Sequence, residues 1–522
     1  MVAKITPLSR LFNNTFPGLA PFELRDLEDF PYTRYVEEQE LYQVYEDWYN
    51  SVPLNQTITD AQSGKVVEKY PIKINPLRGT AQKHASTVIG QNVDSIRFGG
   101  LPFQLIPDLP KEEKGRKDKI RKALLKIFEQ SSFGAQFLSN CIRSQYLGGS
   151  VIAAKWLPDE KRIEISTPSP KDFIGIPTGA DYWNLRKGWI VKEISEFDAK
   201  SYGYEPKGNE SKFWYIEYWT KTDYKIMING HVLKFPGNDI AMEGKHTWGK
   251  VPIIYTPHLR LNGFLGEPIL TETVKGVIKE LNLRWADIGD AVSDDAHGYV
   301  AIRNVRGTVT TINVGDGRPV LDLGSTTGMA NEPQPDMFSI NMKSASEPML
   351  ALGGELFKIY RRETNHPAVA DGEDEGSQRS SLTLATRMAP LVAEADMERV
   401  FHTVGITHFA NILLTIMADK KLEEISKEDI ETSLIMQWQS MLPKDRESLT
   451  QEAAVRSKNH LGSNQHLMGL FGDINDEDEE MEKIAEEIKK FTPVMQPGFG
   501  GNGANVAAKK PGKEANSGGE PK

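Results

Sequence analysis

The sequence predicts an α+β fold, and three observations support that prediction. Several stretches between residues 32 and 147 repeat apolar residues every three or four positions, which is typical of helices that bury one face. Residues 150–260 instead hold short runs rich in β-branched and aromatic residues, separated by turns. One of those turns, Asn229–Gly230, has the composition of a tight hairpin. A helical opening that leads into a strand-rich stretch makes residues 31–265 one α+β region.

Composition and charge exclude some classes of function. The chain has 522 residues, of which 39% are hydrophobic and 26% charged, an ordinary balance for a protein with a sizeable core. Its formal net charge is -10. Tight, general binding of nucleic acid depends on cationic groups that neutralise phosphates, so an acidic chain is a poor candidate for it. An acidic surface would instead repel a duplex.

Cysteine usage and the N-terminus indicate the compartment. Cys141 is the only cysteine, so one chain can form neither a disulfide nor a cysteine-based zinc site. We interpret it as a small buried residue, because nothing nearby in sequence suggests the histidine partner of a catalytic thiol. No signal peptide is recognisable, and no apolar run approaches the ~20 residues of a membrane span. These features predict assembly in a reducing cytoplasm without membrane contact.

A long helix is predicted over residues 266–297. Its apolar residues alternate by three and four positions and form one seam, while the other face is charged. A single seam packs against a limited surface, and neighbouring copies in a ring would supply one. The predicted seam residues are Leu270, Val274, Val277, Leu281, Trp285, Ile288 and Val292.

The second half of the chain alternates between helical and strand-like patterns. A compact β-rich insert is predicted for residues 298–343, followed by helical spacing at 344–364 and a polar, acidic loop at 365–380. A helix then runs from Ser381 to about residue 420. It contains Pro390, which removes a backbone hydrogen bond and clashes with the preceding turn, so we expect a kink there.

The C-terminal part is predicted to be a strand, several helices and a disordered tail. Residues 432–439 have strand character, and helical patterns follow as far as about residue 491. Residues 492–522 are rich in glycine, proline, asparagine and lysine, so they cannot bury enough surface to fold.

Signatures of catalysis are missing from the sequence. The Gly–Lys pairs lack the upstream glycine and the following serine or threonine of a phosphate-binding loop, which excludes a P-loop ATPase. No zinc-protease motif, nucleophile elbow or dinucleotide fingerprint occurs, and the ten histidines are scattered without ligand spacing. We therefore predict no catalytic residue, no cofactor and no metal.

One acidic group leaves an alternative open. Asp287, Asp290 and Asp294 share one face of the predicted helix, as the ligands of a two-metal nuclease could, or they form a solvated helix face. A second acidic stretch begins at Asp473 and imitates the start of a calcium loop. It lacks the glycine and the closing glutamate of such a loop, so we interpret it as a charged helix start.

The region around the long helix resembles the portal proteins of tailed bacteriophages. Residues 249–292 contain a proline-led strand, then Gly266–Glu267, then a helix with Asn282, which is similar to the stem-helix region of that family. Residues 377–396 are similar to the beginning of the family's long kinked helix, and residues 442–487 to its C-terminal pattern.

Motifs in the N-terminal half extend the same resemblance. The stretch LYQVYEDWYN at residues 41–50 and the turn Leu147–Gly148–Gly149 resemble the first half of portal proteins. The similarity therefore covers about residues 30–490, with the motifs in the family's order.

The resemblance implies a portal-type subunit with an α/β wing, long stem helices, a small β-rich clip insert and an α-helical crown. The implied segments are an irregular arm (1–30), the wing (31–265), a stem helix (266–297), the clip (298–343), a second stem helix (344–364), a tunnel loop (365–380), the kinked long helix with a wing strand (381–440), the crown (441–491) and the disordered tail (492–522).

The resemblance also implies a function and a set of partners. Portal proteins form a homo-oligomeric ring, expected here to be a dodecamer, at one capsid vertex of the virion. Double-stranded DNA passes through the ring without sequence specificity during packaging and ejection. The expected protein partners are the large terminase, a head-completion (adaptor) protein, the major capsid protein and the scaffold protein.

Within this frame, the acidic loop is the candidate functional element. An acidic channel wall avoids phosphate contacts, so it lets DNA pass without holding it. The residues implied to line the channel are Asp371, Gly372, Glu373, Asp374, Glu375, Gly376, Gln378 and Arg379. The competing hypotheses are the metal-dependent nuclease and another phage structural component, such as a tail or baseplate subunit.

Overall fold

The computed structural model separates into two compact units, Met1–Asp445 and Arg446–Lys522. The residues that the structure describes are 24, 27, 29–59, 66–68, 73–90, 101–179, 181–206, 210–234, 241–260, 264–297, 299–303, 320–322, 336–340, 346–373, 381–441, 446–459 and 477–491. Most of the predicted arm, most of the predicted clip, parts of the predicted crown (442–445 and 460–476) and the predicted tail lie outside the described residues.

The first unit combines helices with strands, which confirms the predicted α+β class. Its helices are α1 (Tyr32–Tyr49), α2 (Leu77–Ile89), α3 (Lys114–Gln130), α4 (Phe133–Leu147), α5 (Glu196–Ser201), α6 (Glu272–His297), α7 (Ser346–Glu363), α8 (Ser381–Lys420) and α9 (Lys427–Ile430). Its strands are β1 (Thr57–Thr59), β2 (Val66–Glu68), β3 (Phe103–Pro107), β4 (Gly149–Leu157), β5 (Arg162–Ser166), β6 (Phe173–Thr178), β7 (Asp181–Ile194), β8 (Phe213–Thr220), β9 (Asp223–Ile228), β10 (His231–Val232), β11 (Glu243–Lys245), β12 (Ile253–Pro257), β13 (Tyr299–Arg303), β14 (Val320–Asp322), β15 (Asp336–Ile340) and β16 (Leu434–Trp438).

A large antiparallel sheet forms most of the strand-rich part predicted for residues 150–260. Its order is β10-β9-β8-β7-β6, and β11 also pairs with β9. The turn between β9 and β10 is Asn229–Gly230, whose φ angles are 46° and 77°. Positive φ at both positions is what a two-residue hairpin turn requires, and Ile228 pairs with His231 across it. The predicted hairpin is confirmed.

A second sheet lies in the core of the first unit. It has the order β12-β4-β5, and every residue of β12 is buried. Helices α4 and α8 pack against this sheet, and β12 also contacts β7 of the larger sheet. This sheet, which also belongs to the strand-rich stretch, therefore joins the helical opening of the chain to the larger sheet.

Two strands far apart in sequence close the first unit. β16, which follows α8, pairs antiparallel with β3, so that Leu434 lies opposite Pro107 and Trp438 opposite Phe103. The strand predicted at residues 432–439 is thus confirmed, and its partner comes from the N-terminal part of the chain. This pairing joins residues after 381 to the α+β region before 265.

Helix α8 passes through the main hydrophobic core. It begins and ends where the sequence predicts, and Pro390 lies inside it; the angle of the expected kink stays a prediction. By length and composition alone, residues Thr383–Lys420 could cross a membrane, which corrects the expectation that the chain has no such apolar segment. However, 56% of the most apolar part of this segment is buried within the protein. Fully buried side chains such as Phe409 and Leu413 show α8 to be a core helix.

The three strands that the structure describes between α6 and α7 form a small sheet of their own. Its order is β14-β13-β15, with β13 parallel to β14 and antiparallel to β15. The β-rich character predicted for residues 298–343 is confirmed for these strands, and α6 and α7 pack against each other.

The second unit contains two described helices, α10 (Arg446–Lys458) and α11 (Glu477–Phe491). Ion pairs one turn apart stabilise each helix, between Arg456 and Glu452 in α10 and between Lys483 and Glu480 in α11. The helical character predicted for this part of the chain is confirmed where it is described.

A buried carboxylate fastens α3 to the segment that follows α8. Asp429 is 1% exposed and accepts hydrogen bonds from Arg116 (2.7 Å), Lys119 (2.9 Å) and the backbone N–H of Ser426 (2.8 Å). Burial opposes ionisation of Asp429, but the hydrogen bonds from Ser426, Arg116 and Lys119 outweigh it and lower the pKa of this carboxyl. The ionised side chain therefore stabilises the folded state at neutral pH.

We predict that Asp429→Asn lowers the free energy of unfolding by about 2 kcal/mol at neutral pH, because charged hydrogen bonds to two basic residues are lost. A carboxyl whose pKa is lower in the folded state than in the unfolded state stabilises the folded protein at pH values above its unfolded pKa. This stabilisation is lost as the pH falls towards the folded pKa. The difference in stability between variant and wild type should therefore narrow as the pH falls below about 4, the ordinary pKa of an aspartic acid side chain.

Thermal unfolding measured across this pH range tests the prediction. Glu428→Gln is the matched control, because Glu428 is the adjacent carboxylate and is exposed. Equal stability of Asp429→Asn and wild type at neutral pH would show that the cluster contributes nothing.

Candidate functional site

The turn after α4 contacts the segment that leads into α6. The carbonyl of Gly148 accepts a hydrogen bond from the N–H of His258 (2.9 Å), and Gln145 O accepts one from the N–H of Ile269 (2.9 Å). Gly148 has a φ of 80°, and a Cβ added there would lie 2.4 Å from Gly266 O. Only glycine fits at this contact. The Leu147–Gly148–Gly149 and Gly266–Glu267 motifs, far apart in sequence, therefore meet in space.

The same contact corrects the predicted beginning of the long helix. The sequence places Glu267 in the first helical turn, but α6 begins at Glu272. The N–H of Glu267 donates to Leu259 O (2.7 Å) and that of Ile269 donates to Gln145 O (2.9 Å). Backbone groups bonded to other segments hold residues 267–269 outside the helix.

The predicted seam of α6 is mostly buried within the same chain. Leu270, Val274 and Val277 pack into a hydrophobic cluster with side chains of α1, α2 and α7, including Trp48, Leu77 and Tyr360. The buried members are Leu270, Val274, Leu281 and Ile288. Ile278, which the sequence analysis left out of the seam, is fully buried beside them.

This burial corrects the argument that the seam needs neighbouring copies. Val277 and Trp285 are half-buried, and the side chain of Val292 lies outside the described residues. The part of the seam from Leu270 to Val277 is covered by α1, α2 and α7, because these helices of the same chain supply apolar side chains to it. Leu281 and Ile288, farther along the helix, are also buried. An unpartnered seam therefore gives no independent reason for oligomerisation.

Asn282 fastens α6 to the extended segment before α2. Its side chain is fully buried, accepts a hydrogen bond from the N–H of Ile74 (2.7 Å) and donates to Ile74 O (2.7 Å) and Ile278 O (2.8 Å). An amide side chain satisfies both backbone groups of one residue, as a neighbouring strand would. The asparagine of the portal-like motif thus has a structural role in this chain.

On the charged face of α6, the side chain of Asp287 is described and is engaged by an arginine. Asp287 accepts a hydrogen bond from Arg284 (2.8 Å), which also pairs with Glu280. The side chains of Asp290 and Asp294 lie outside the described residues. Among the residues that the structure does describe, no group of three or more histidine, cysteine or acidic side chains is placed to hold a metal ion.

The acidic loop begins with a compact folded segment. Thr364 and His366 are buried, a 3-10 helix spans Ala368–Asp371, and Gly372 ends it with a φ of 82°. Asp371 and Glu373 are both bound by Arg361 in the last turn of α7. The remaining predicted channel residues, Asp374, Glu375, Gly376, Gln378 and Arg379, lie outside the described residues.

A line of polar side chains on α8 lies beneath this loop segment. Glu394, Glu398 and His402 follow one another at intervals of four residues, and all three are buried. Gln145 of α4 donates a hydrogen bond to Glu398 (2.6 Å), and the Nε2 atoms of His402 and His258 lie 3.2 and 3.7 Å from it. Helices α4 and α8 and the segment after β12 therefore share one buried polar contact.

Glu394, the first residue of this line, lies near the loop. His84 of α2 lies with its Nδ1 3.8 Å from Glu394, and its ring stacks on His366 with centroids 5.8 Å apart. Burial and the neighbouring His366 and His258 lower the pKa of His84 to about 3, so it is neutral at pH 7. Burial also raises the pKa of Glu394. The loop is thus attached to the core by α2 and α8.

The environment of Cys141 confirms its burial and corrects one expectation. The thiol is fully buried, and burial together with the nearby Glu398 raises its pKa well above the ordinary value. A histidine is present after all, since His402 Nε2 lies 4.0 Å from the sulfur. Because Cys141, His402 and Glu398 are at most 1% exposed, no substrate can reach the thiol. The group belongs to the core.

The spacing of residues in the sequence did not predict that several histidines lie close together in the structure. Four of the ten, His84, His258, His366 and His402, lie within the polar region between α2, α8 and the loop. They come from four separate segments, so no local motif marks them. The one available signal was the spacing of Glu394, Glu398 and His402, polar residues along one face of an otherwise apolar helix.

The buried polar groups described above join helices and strands to one another, which is typical of a structural component. A family model for phage portal proteins, SPP1 Gp6-like, matches residues 199–493. The chain belongs to this family of phage portal proteins. The match includes α6, α7 and α8, whereas the portal-like motifs at residues 41–50 and 147–149 precede it. No curated protein matches the chain.

Membership in the family establishes the coarse features of the protein. Phage portal proteins are structural, non-enzymatic proteins of the virion, located at a capsid vertex, and they are oligomeric rings associated with the capsid and terminase. The nuclease and the tail or baseplate hypotheses are therefore set aside.

We predict that Asn282→Ala lowers the free energy of unfolding by about 1–3 kcal/mol, because the N–H and C=O groups of Ile74 lose their partner. Asn282→Asp should also destabilise, because the isosteric carboxylate cannot donate to Ile74 O. Thermal unfolding is the measurement, with Glu280→Gln on the same helix as the control. An unchanged midpoint for both Asn282 variants would contradict the role assigned to this side chain.

Proposed function

We propose that this chain forms a dodecameric ring at the unique capsid vertex, through which the terminase packages DNA and through which DNA is later ejected. The observation that carries the proposal is the family match over residues 199–493, which spans the two long helices, the sheet between them and the helices after Asp445. The ring also serves as a docking platform for head-completion and tail proteins.

In this proposal each segment takes the role that the family resemblance implies. Helices α6 and α7 form the stem, and the sheet of β13, β14 and β15 belongs to the clip, which meets the terminase and later the adaptor protein. Residues 31–265 and 381–440 form the wing, which meets the major capsid and scaffold proteins, and residues 441–491 form the crown. The pairing of β3 with β16 supports assigning both wing segments to one body.

The charge of the chain agrees with a conduit that does not retain DNA. A net charge of -10 disfavours the phosphate contacts that produce tight, salt-dependent binding. The loop at 365–380 is proposed to line the narrowest part of the channel and to act without chemistry. Its support is its position between α7 and α8, together with its acidic composition.

We predict that the isolated protein forms a closed homo-oligomer, because rings are a property of the family. Mass photometry at micromolar concentration and moderate salt should show one high-mass species, and negative-stain images should show a ring with a central hole. Only monomers of 58.4 kDa under these conditions would contradict the proposal.

We predict that reversing the loop charge impairs DNA packaging while leaving rings intact. Changing Asp371, Glu373, Asp374 and Glu375 together to Lys would place many cations around the duplex, and these would hold it in a salt-dependent way. A packaging assay at low and high salt measures the effect, which should be largest at low salt.

Two further variants separate charge in the channel from the contacts of the loop. Asp371 and Glu373 are bound by Arg361, so their replacement by Lys also removes those bonds. Asp374→Lys with Glu375→Lys leaves those bonds in place, and Asp374→Asn with Glu375→Gln controls for loss of charge alone. If both lysine variants packaged DNA at the wild-type rate in low salt, the loop would not line the narrowest part of the channel.

A further inference from the structure

The beginning of the acidic loop is held by an arginine at the end of α7. Arg361 donates to both carboxylate oxygens of Glu373, at 2.8 and 2.6 Å, and to Oδ2 of Asp371 at 3.1 Å. A guanidinium that grips one carboxylate with two bonds is a directional contact as well as an ion pair. Two of the loop's acidic side chains therefore point back to the helix that precedes them.

A buried histidine supports the same arrangement from the other side. His366 is 3% exposed, its Nε2 lies 2.8 Å from Oδ1 of Asp371, and its ring stacks on His84 of α2. Asp371 is thus held between a residue fixed in the core and Arg361 on α7. We call Arg361, His366, Asp371 and Glu373 the clasp.

The backbone folds back to bring the clasp together. Asn365 and Gly372 have φ angles of 48° and 82°, which reverse the chain direction on either side of the 3-10 helix. The N–H groups of Gly372 and Glu373 donate to Val369 O (3.0 Å) and Ala368 O (3.2 Å). These amides report directly on whether the segment is folded.

The members of the clasp differ in their exposure to solvent. Side-chain exposure rises from 3% for His366 to 34% for Asp371 and 55% for Glu373. Hydrogen bonds from Arg361 lower the pKa of Glu373; burial opposes ionisation of Asp371, but bonds from His366 and Arg361 outweigh it and lower its pKa as well. Both carboxylates are therefore ionised at neutral pH, while solvent weakens the outer ion pair.

We propose that the clasp is a two-state device: closed, it holds residues 371–373 against the end of α7, and open, it releases them from the helix while His366 stays anchored in the core. The Arg361–Glu373 contact is the part that opens, because Glu373 is the most exposed member of the clasp at 55%, whereas Asp371 is also held by the buried His366. The consequence for DNA passage rests on the proposed function, since it requires that this loop line the channel.

Amide hydrogen exchange on the assembled protein tests the clasp itself. Arg361→Gln should speed exchange at Gly372 and Glu373 by about fivefold, the effect of losing an exposed ion pair with good geometry. Arg362→Gln is the matched control, because the adjacent arginine is 75% exposed at its side chain and contacts Glu363 instead. Equal exchange in the two variants would overturn the proposal.

A second variant guards against a general effect on α7. Glu373→Gln weakens the grip of Arg361 without changing the helix, so it should speed exchange at the same amides. Exchange at Tyr360 and Thr364, within and just after α7, should stay unchanged in it. Faster exchange throughout α7 in Arg361→Gln together with no change in Glu373→Gln would show a structural arginine and would also overturn the proposal.

A packaging assay then separates the clasp from the proposed function. If the loop lines the channel, Arg361→Gln changes the rate of DNA packaging and Arg362→Gln does not. Open clasps with unchanged packaging would refute the link between this device and DNA passage while rings remain intact. Wild-type protein that forms no ring or passes no DNA would instead refute the proposed function, whatever the exchange data show.

Discussion

The buried carboxylate of Glu398 constrains the elements around it. A charge removed from water must be paired and hydrogen-bonded, or the folded state loses stability. Gln145 of α4, His258 after β12 and His402 of α8 provide the partners, so three separate segments are held at fixed distances. Two of these segments also form the glycine contact that precedes α6. The position at which the long helix begins therefore depends on a charge in the core.

Much of the local structure could be predicted from the sequence, because its causes are local. The bounds of α8 follow from one long apolar period, and the hairpin at Asn229–Gly230 follows from residues that tolerate positive φ. The seam positions Val274, Leu281 and Ile288 were identified correctly as buried, since helical spacing fixes which residues share a face. The strand at 434–438 was recognised by composition.

What the sequence could not predict depends on contacts between distant segments. Periodicity shows that the seam of α6 is buried, but not that Trp48 and Tyr360 of the same chain cover it. The helix start was misplaced because the N–H groups of Glu267 and Ile269 bond to other segments. The acidity of the loop could be read from its composition. The binding of Asp371 and Glu373 by Arg361 could not, because it depends on the chain folding back at Asn365. In each case the decisive partner is set by the tertiary fold.

The pairing of β3 with β16 has a consequence for how the protein is made. Arg116 and Asp429, which also join these two regions, are 313 residues apart in the chain. Until the ribosome has synthesised residue 438, the edge of β3 that pairs with β16 is open, and Phe103 lacks the ring of Trp438 that packs against it. Open strand edges next to apolar surface favour aggregation. The N-terminal region thus remains an incomplete domain through most of translation, and its folding is completed late.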